Sequence, residues 1–310
     1  MDNSEPGFSK KIRAPFLSSI LSPLVAGSLL AARVRGDFEV MEFLLVLLAG
    51  VALHIATNVY NDIYDTLQGT DKVNVHRNEF SGGSGVLLDR PDLFRGMYRI
   101  ARTSNVIALL AAAALTPLVR HPLLLWILVL TSLFFSKYYT AAPVKLAYRG
   151  LGELFVWLAF GPMAVLFAAV GQGLSFHPFI LLAMPVTGIS TLSILLIGQL
   201  IDLEADRAAG KLGVAARLGT AFTRWLYLGV QLLLMCNIIL LALFPLGRGW
   251  PLLIALAPYL LLLPKVWKIL YRRHDSPDEL KSAARLNVQL HLLFSIALSA
   301  ASLTVLLIGG

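Results

Sequence analysis

The sequence predicts an all-α membrane protein, with nine transmembrane helices in a bundle and two polar cap loops on the cytoplasmic side. Three observations carry that reading. Hydrophobic residues make up 57% of the chain and charged residues only 14%, with a mean hydropathy of +0.74, whereas a soluble domain carries roughly 25% charged residues. Nine apolar stretches each approach the ~20 residues a helix needs to cross the hydrocarbon. Finally, 22 of the 26 Lys and Arg residues fall on the side of the N-terminus, leaving Arg33, Arg35, Arg120 and Arg248 on the other. The positive-inside rule then places the N-terminus in the cytoplasm.

In chain order, the spans are expected at about 14–34, 40–60, 99–118, 121–139, 152–172, 177–200, 222–244, 250–270 and 286–308. The polar start, Met1–Lys11, leads into an apolar run without a small-residue cleavage signature, so the first span reads as a retained helix and not a signal peptide. The second span ends in Asn61-Asp62-Ile63-Tyr64-Asp65 and runs on to Gly69-Thr70-Asp71, opening a first cap loop at about 61–98. The fourth ends in Lys137, Tyr138 and Tyr139, followed by Pro143, Lys145, Arg149 and Gly150-Leu151-Gly152-Glu153, an irregular basic connection. The sixth ends in Asp202-Leu203-Glu204-Ala205-Asp206 and opens a second cap loop at about 201–221. The seventh holds the lone Cys236, expected to be a packing thiol, which excludes disulfides and thiolate metal centres. Between the last two spans, Lys265–Arg285 is basic and reads as a solvated loop. Each acidic cluster follows an even-numbered span, which suggests two similar four-helix halves plus a ninth helix in a single domain over 1–310. A site between the halves is expected.

Carboxylates gathered in so apolar a chain call for a cation. Asn61 and Asp65 are four residues apart, as are Asp202 and Asp206, so on helices each pair projects from one face with side chains about 5–6 Å apart. Hard oxygen donors suit Mg2+, which keeps several waters and binds one or two carboxylates together with phosphate oxygens of a substrate. Asn61, Asp62, Asp65, Asp71, Asp202 and Asp206 are the candidate ligands. Around them stand Lys72, Arg77 and Ser81-Gly82-Gly83-Ser84-Gly85 in the first loop, and Arg207 and Lys211 in the second. Cations and close-approaching glycine backbone suit an anion such as a diphosphate. The competing explanation is a pair of acidic helix ends neutralised by neighbouring bases. Tyr139, Lys145 and Arg149 either line the same site or only anchor the membrane interface. His54, Gln199, Asn237 and His291 are polar groups expected inside the bundle. The net charge of +8 lies on membrane loops and not on a basic soluble face, so no nucleic-acid partner is expected.

At these residues the chain resembles the UbiA superfamily of intramembrane prenyltransferases. Its first aspartate-rich motif is matched by Asn61 and Asp65, its second by Asp202 and Asp206, and its nine-helix plan with two cytoplasmic caps covers nearly the whole chain. Gly69-Thr70-Asp71, Tyr139-Thr140-Ala141-Ala142-Pro143 and Tyr148-Arg149-Gly150-Leu151-Gly152-Glu153 are similar to the branch that prenylates 1,4-dihydroxy-2-naphthoate on the way to menaquinone. Two departures stand out. Gly69 occupies the last step of the first motif, with Asp71 taking its place, and Gly210-Lys211-Leu212-Gly213 lacks the Arg and Thr that commonly follow the Lys.

The resemblance implies a cytoplasmic-membrane enzyme that uses Mg2+ to transfer a polyprenyl group from polyprenyl diphosphate to an aromatic acceptor. Asp62, Asp65, Asp202 and Asp206 would be catalytic. Asn61, Lys72, Arg77, Tyr139, Lys145, Arg149 and Lys211 would bind substrate. The acceptor the resemblance implies is 1,4-dihydroxy-2-naphthoate in menaquinone biosynthesis, with 4-hydroxybenzoate, a porphyrin, a lipid glycerol or a sugar phosphate as the alternatives on the same fold. A cation-coupled carrier is the rival class, disfavoured because its carboxylates would be expected near the bilayer midplane and not at helix ends.

Overall fold

A computed structural model describes residues 6–78, 80–81, 83–244 and 248–308, so Gly82 of the glycine-rich run and the first five residues lie outside the described part. The long helices are α1 (Ser18–Arg35), α2 (Val40–Leu67), α3 (Phe94–Leu115), α4 (Pro122–Tyr138), α5 (Gly152–Gly171), α6 (Pro178–Ile201), α7 (Val214–Leu243), α8 (Ala257–Arg273) and α9 (Pro277–Ile308). No strand occurs among the described residues beyond an isolated bridge between Asn78 and Ser81.

Seven of these helices are long and apolar enough to cross a membrane. α8 reaches that length with the 3-10 turns of Trp250–Leu256 that lead into it; the other two stand at expected spans but fall short by that measure: α3 carries Arg95, Arg99 and Arg102 in its first turns, and α4 has 17 residues with no such extension. Composition explains the arrangement. In α6 67% of the most apolar window is buried, against 33% in α7 and α8, so α6 is a core helix while α7 and α8 turn Leu233, Leu240, Leu260 and Leu261 outward. In a bilayer, such outward leucines meet hydrocarbon.

α2 packs on α3 and α4, α6 packs on α7 and α9, and α1 and α5 join the two groups. The α5–α6 contact is unusually close. A Cβ on Gly161 would lie 3.0 Å from Gly188 Cα, and one on Gly188 would lie 3.0 Å from Gly161 Cα. Small residues let backbones approach in this way within membranes. Here α5 also makes a π-helical turn at Ala159–Met163, and the Thr187 hydroxyl donates to the Phe160 carbonyl at 2.8 Å. A π turn shifts the following side chains around the helix, and Phe160 ends up facing the interior cavities described below.

Three expectations need correcting. The first cap opens after Leu67 and not at about 61, because α2 runs on through Asn61–Asp65, and the second cap is shortened by the helix Leu203–Ala208 and by α7 starting at Val214. Lys265–Arg285 is the end of α8 and the start of α9, not a solvated loop, because its polar residues fall on the outer faces of helices that extend past the apolar zone. Cys236 is exposed on α7 and is not a packing thiol, since α7 turns much of its surface outward.

Candidate active site

The C-terminal ends of α2 and α6 meet at one end of the bundle, and the short connections after them fold back over the gap. Two cavities adjoin there. One, of about 200 Å³, is lined by Asn61, Asp65, Asp71, Asp202, Asp206 and Lys211. The second, of about 240 Å³, runs deeper between α2, α4 and α5 and is lined largely by apolar and aromatic side chains, Phe135, Phe155 and Phe167 among them. Arg13, His54, Asn58, Asn61, Tyr139 and Phe160 line both and so stand at the junction.

Helical spacing puts Asn61 and Asp65 on one face of α2, as expected. Asp65 is buried and fully engaged: Tyr148 Oη donates to Oδ1 at 2.7 Å and Lys211 Nζ to Oδ2 at 3.1 Å. The Tyr148 proton being used, the Thr70 hydroxyl at 2.6 Å donates to the phenol oxygen. Asp71 is reached through Gly69, whose φ of +86° lets the chain turn into the short helix Thr70–Val73; Thr66 Oγ1 donates to Asp71 Oδ2 at 3.1 Å. Asp62 faces the same side, with the Ser84 amide donating to Oδ1 at 3.2 Å and an ion pair from Arg13 Nη1 to Oδ1 at 3.9 Å, while Oδ2 is buried without a hydrogen-bond partner. Gly83 fits between Asp62 and Asp71, where a Cβ would lie 3.2 Å from oxygens of both. Across the gap, Asn74 Nδ2 donates to Asp202 Oδ1 at 2.8 Å, tying the first cap to the second.

The charges are strongly coupled. Burial, aided by the Asp65 and Asp62 carboxylates, pushes Asp71 up to about 7. Burial likewise raises Asp206 to about 7, against the opposing pull of Lys211, and it raises Asp202. Burial would lower the Lys211 ammonium, but Asp65 and Asp206 outweigh it and hold it well above the ordinary lysine range. Several carboxylates thus share one lysine in a desolvated pocket, an excess of negative potential that favours cations. Among the described residues no three acidic, His or Cys side chains converge closely enough to complete a metal centre by themselves.

The remaining expected residues divide. Tyr139 lines both cavities. Lys145, with φ of +51°, lies over the Tyr148 ring at 5.3 Å, and the chamber residue Lys211 lies over the same ring at 5.7 Å. Arg77 folds over Gly85 and pairs with Asp89 at 3.9 Å. Lys72 is exposed, and Arg149, also exposed, donates to the Pro143 carbonyl; neither lines the chamber. Of the polar groups inside the bundle, His54 reaches the chamber and hydrogen-bonds Asn58 at 3.2 Å, whereas His291 is held by Ser19 and Ser190 far from it in sequence. Sequence reasoning assigned no site role to Arg13, nor to Tyr148, which stood only in the stretch shared with the naphthoate branch. Arg13 sits in the left-handed region (φ +56°), an uncommon conformation for a non-glycine residue that is often found where a side chain is re-aimed at a site. Its only sequence signal was a positive charge just before the first span.

Residues 20–293 match the UbiA prenyltransferase family. The chain belongs to that family. It is therefore a prenyltransferase built into a membrane. Among its relatives, the 1,4-dihydroxy-2-naphthoate octaprenyltransferase of Mycobacterium tuberculosis is 33% identical over 216 residues, covering 69% of this chain and 70% of the relative. The 2-carboxy-1,4-naphthoquinone phytyltransferase of Synechocystis is 26% identical over 299 residues, covering 93% and 90%. A solved UbiA homolog from Archaeoglobus fulgidus, bound to GPP and Mg2+, shares the fold with a TM-score of 0.59 at 14% identity, covering 94% of this chain and 99% of that one.

Proposed function

We propose that this family member transfers a polyprenyl group from a polyprenyl diphosphate to an aromatic acceptor, 1,4-dihydroxy-2-naphthoate in menaquinone biosynthesis, and that it uses Mg2+. The observation that carries the reading is the junction of a carboxylate-rich chamber with an apolar one. A substrate with an anionic head and a hydrocarbon tail needs both, side by side. The acceptor is argued from the relatives, two of which are named for naphthoate or naphthoquinone chemistry.

The residues present suit Mg2+. The donors, Asn61, Asp62, Asp65, Asp71, Asp202 and Asp206, are all oxygen, Asp62 Oδ2 is buried and unpartnered, and an incomplete protein shell matches an ion that keeps waters and takes substrate phosphate oxygens. When bound, Mg2+ would offset the charge that grows on the departing diphosphate. Lys211 and Arg13, which line the chamber, would neutralise diphosphate oxygens, a role that Lys72, Arg77 and Arg149, which do not line it, would not share. Tyr139 and Phe160, at the junction, would offer ring faces to an allylic carbon as it becomes cationic. The apolar walls beyond them exclude water that would capture that carbon before the electron-rich acceptor ring does.

The reading also takes all nine helices as membrane-crossing, in the cytoplasmic membrane of the cell, with both caps facing the cytoplasm. The test is turnover of purified protein with radiolabelled geranylgeranyl diphosphate and 1,4-dihydroxy-2-naphthoate, with Mg2+ and with chelator. Chelator-sensitive prenyl-naphthoate is the expected product. Prenylation of 4-hydroxybenzoate instead would move the acceptor, and metal-independent turnover would remove Mg2+ from the reading.

A further inference from the structure

The first turn of α7 has an unusual cap. Its N-cap residue is Gly213, which offers no side-chain hydrogen bond, although Ser, Thr, Asp or Asn ordinarily fills this position. The exposed amides are satisfied from other helices. Glu153 Oε1, from the start of α5, accepts from the Val214 amide at 2.6 Å, and Gln199 Oε1, from the last turns of α6, accepts from the Ala215 amide at 3.3 Å. Gln199 Nε2 donates in turn to Glu153 Oε1 at 2.7 Å, closing a buried three-way junction. Gln199 fills the space a side chain at 213 would take: a Cβ there would lie 2.7 Å from its Cδ and 2.9 Å from its Oε1.

This junction sits two residues after Lys211. The Lys211 amide is bonded to the Asp206 carbonyl at 2.7 Å, and its ammonium reaches Asp65, so the strand of chain from 206 to 214 is pinned at both ends. Gly219 (φ +82°) sets the first turn of α7 apart from the rest of the helix, so that turn does not inherit its position from the transmembrane segment. Glu153 and Gln199 hold its amides, while Arg207 donates to the Ala216 carbonyl at 3.3 Å and Arg217 to the Arg149 carbonyl at 2.7 Å.

We propose that Gln199 is a positioning residue that, with Glu153, caps the start of α7 from outside and thereby holds Lys211 against Asp65 for the anionic head of the substrate. Glycine at 213 and glutamine at 199 are then one device: the amide does from α6 what a capping hydroxyl at 213 would do locally. The inference rests on the diphosphate reading above.

The test is equilibrium binding of radiolabelled geranylgeranyl diphosphate, with Mg2+, to wild type and variants of the full chain in detergent, alongside thermal melting. Gln199→Ala is expected to weaken binding about five- to tenfold, the size of one lost cap, and Gly213→Thr alone to weaken it by crowding Gln199. The combination Gln199→Ala with Gly213→Thr is expected to recover most of the affinity, because threonine then caps its own helix. In a Lys211→Ala background, Gln199→Ala is expected to add nothing. Additive losses in the double variant, or an undiminished effect without Lys211, would overturn the positioning role and assign Gln199 to direct ligand contact. Wild-type protein that binds no diphosphate would overturn the functional reading, and this inference with it.

Discussion

Asp65 and Asp206 are both buried carboxylates facing one lysine, yet they are held differently. Asp65 receives Tyr148 and Lys211 directly, while Asp206 meets Lys211 through a backbone bond and through space. Removing the charge of either, by Asp65→Asn or Asp206→Asn, should lower prenyl transfer about 10²- to 10³-fold, the scale of losing one electrostatic contact to a developing charge. Neither change removes buried volume, so the variants should remain folded. Full activity in both, measured on purified protein, would sink the two-cluster site. Tyr148 shows what spacing alone misses: its phenol is useful only because the chain turns back from α4 and lays it against Asp65.

At the scale of elements, two close contacts set the chamber. The α5–α6 crossing at Gly161 and Gly188 fixes how deep Phe160 sits, and the Asn74–Asp202 bond ties one cap to the other. Gly188→Ala puts a methyl group against the α5 backbone with no flexible side chain to yield. It should destabilise the protein by about 1–3 kcal/mol, as overpacking of a close contact does, and lower the melting midpoint in detergent. An unchanged midpoint would mean that the helices separate freely and that the crossing does not define the cavity. The acidic runs fall at helix ends, as their four-residue spacing predicts, and α2 carries its run further along the helix than the expected span end near 60. A helix end holds carboxylates in a set register, whereas a loop would let them disperse.

For the whole molecule, the accumulated negative charge predicts a pH dependence. Asp71 and Asp206 titrate at about 7 in the folded protein against roughly 4 in an unfolded chain. The folded state therefore binds more protons between those values, and the stability these groups contribute is present below about 4 and lost as pH rises through about 7. Protein free of metal and substrate should melt at a lower temperature at pH 8 than at pH 5, and Mg2+ with inorganic diphosphate should restore more at pH 8. A midpoint that climbs over that range would contradict the shared-charge description. Orientation gives an independent check. With Cys236 replaced by Ala, a cysteine at the exposed Lys72 should react with an impermeant maleimide only in inside-out vesicles, and labelling of right-side-out vesicles would reverse the topology.

The sequence by itself determined the class: apolar runs of bilayer length and two acidic motifs at four-residue spacing are local features, readable because hydropathy and helical period act over neighbouring residues. It also named the carboxylates and Lys211 that share the chamber. It could not separate the cations that reach the chamber from those that do not. Lys72 and Lys211 look alike as lysines beside acidic runs, but one is exposed and the other lies against Asp65. Tertiary structure alone decided that choice, along with the position of Arg13 at the junction of the two cavities, the partnering of Tyr148 with Asp65 and the capping of α7 by Glu153 and Gln199. Each depends on contacts between residues tens of positions apart, whose directions are set by how helices cross and turns bend, and no local pattern encodes those.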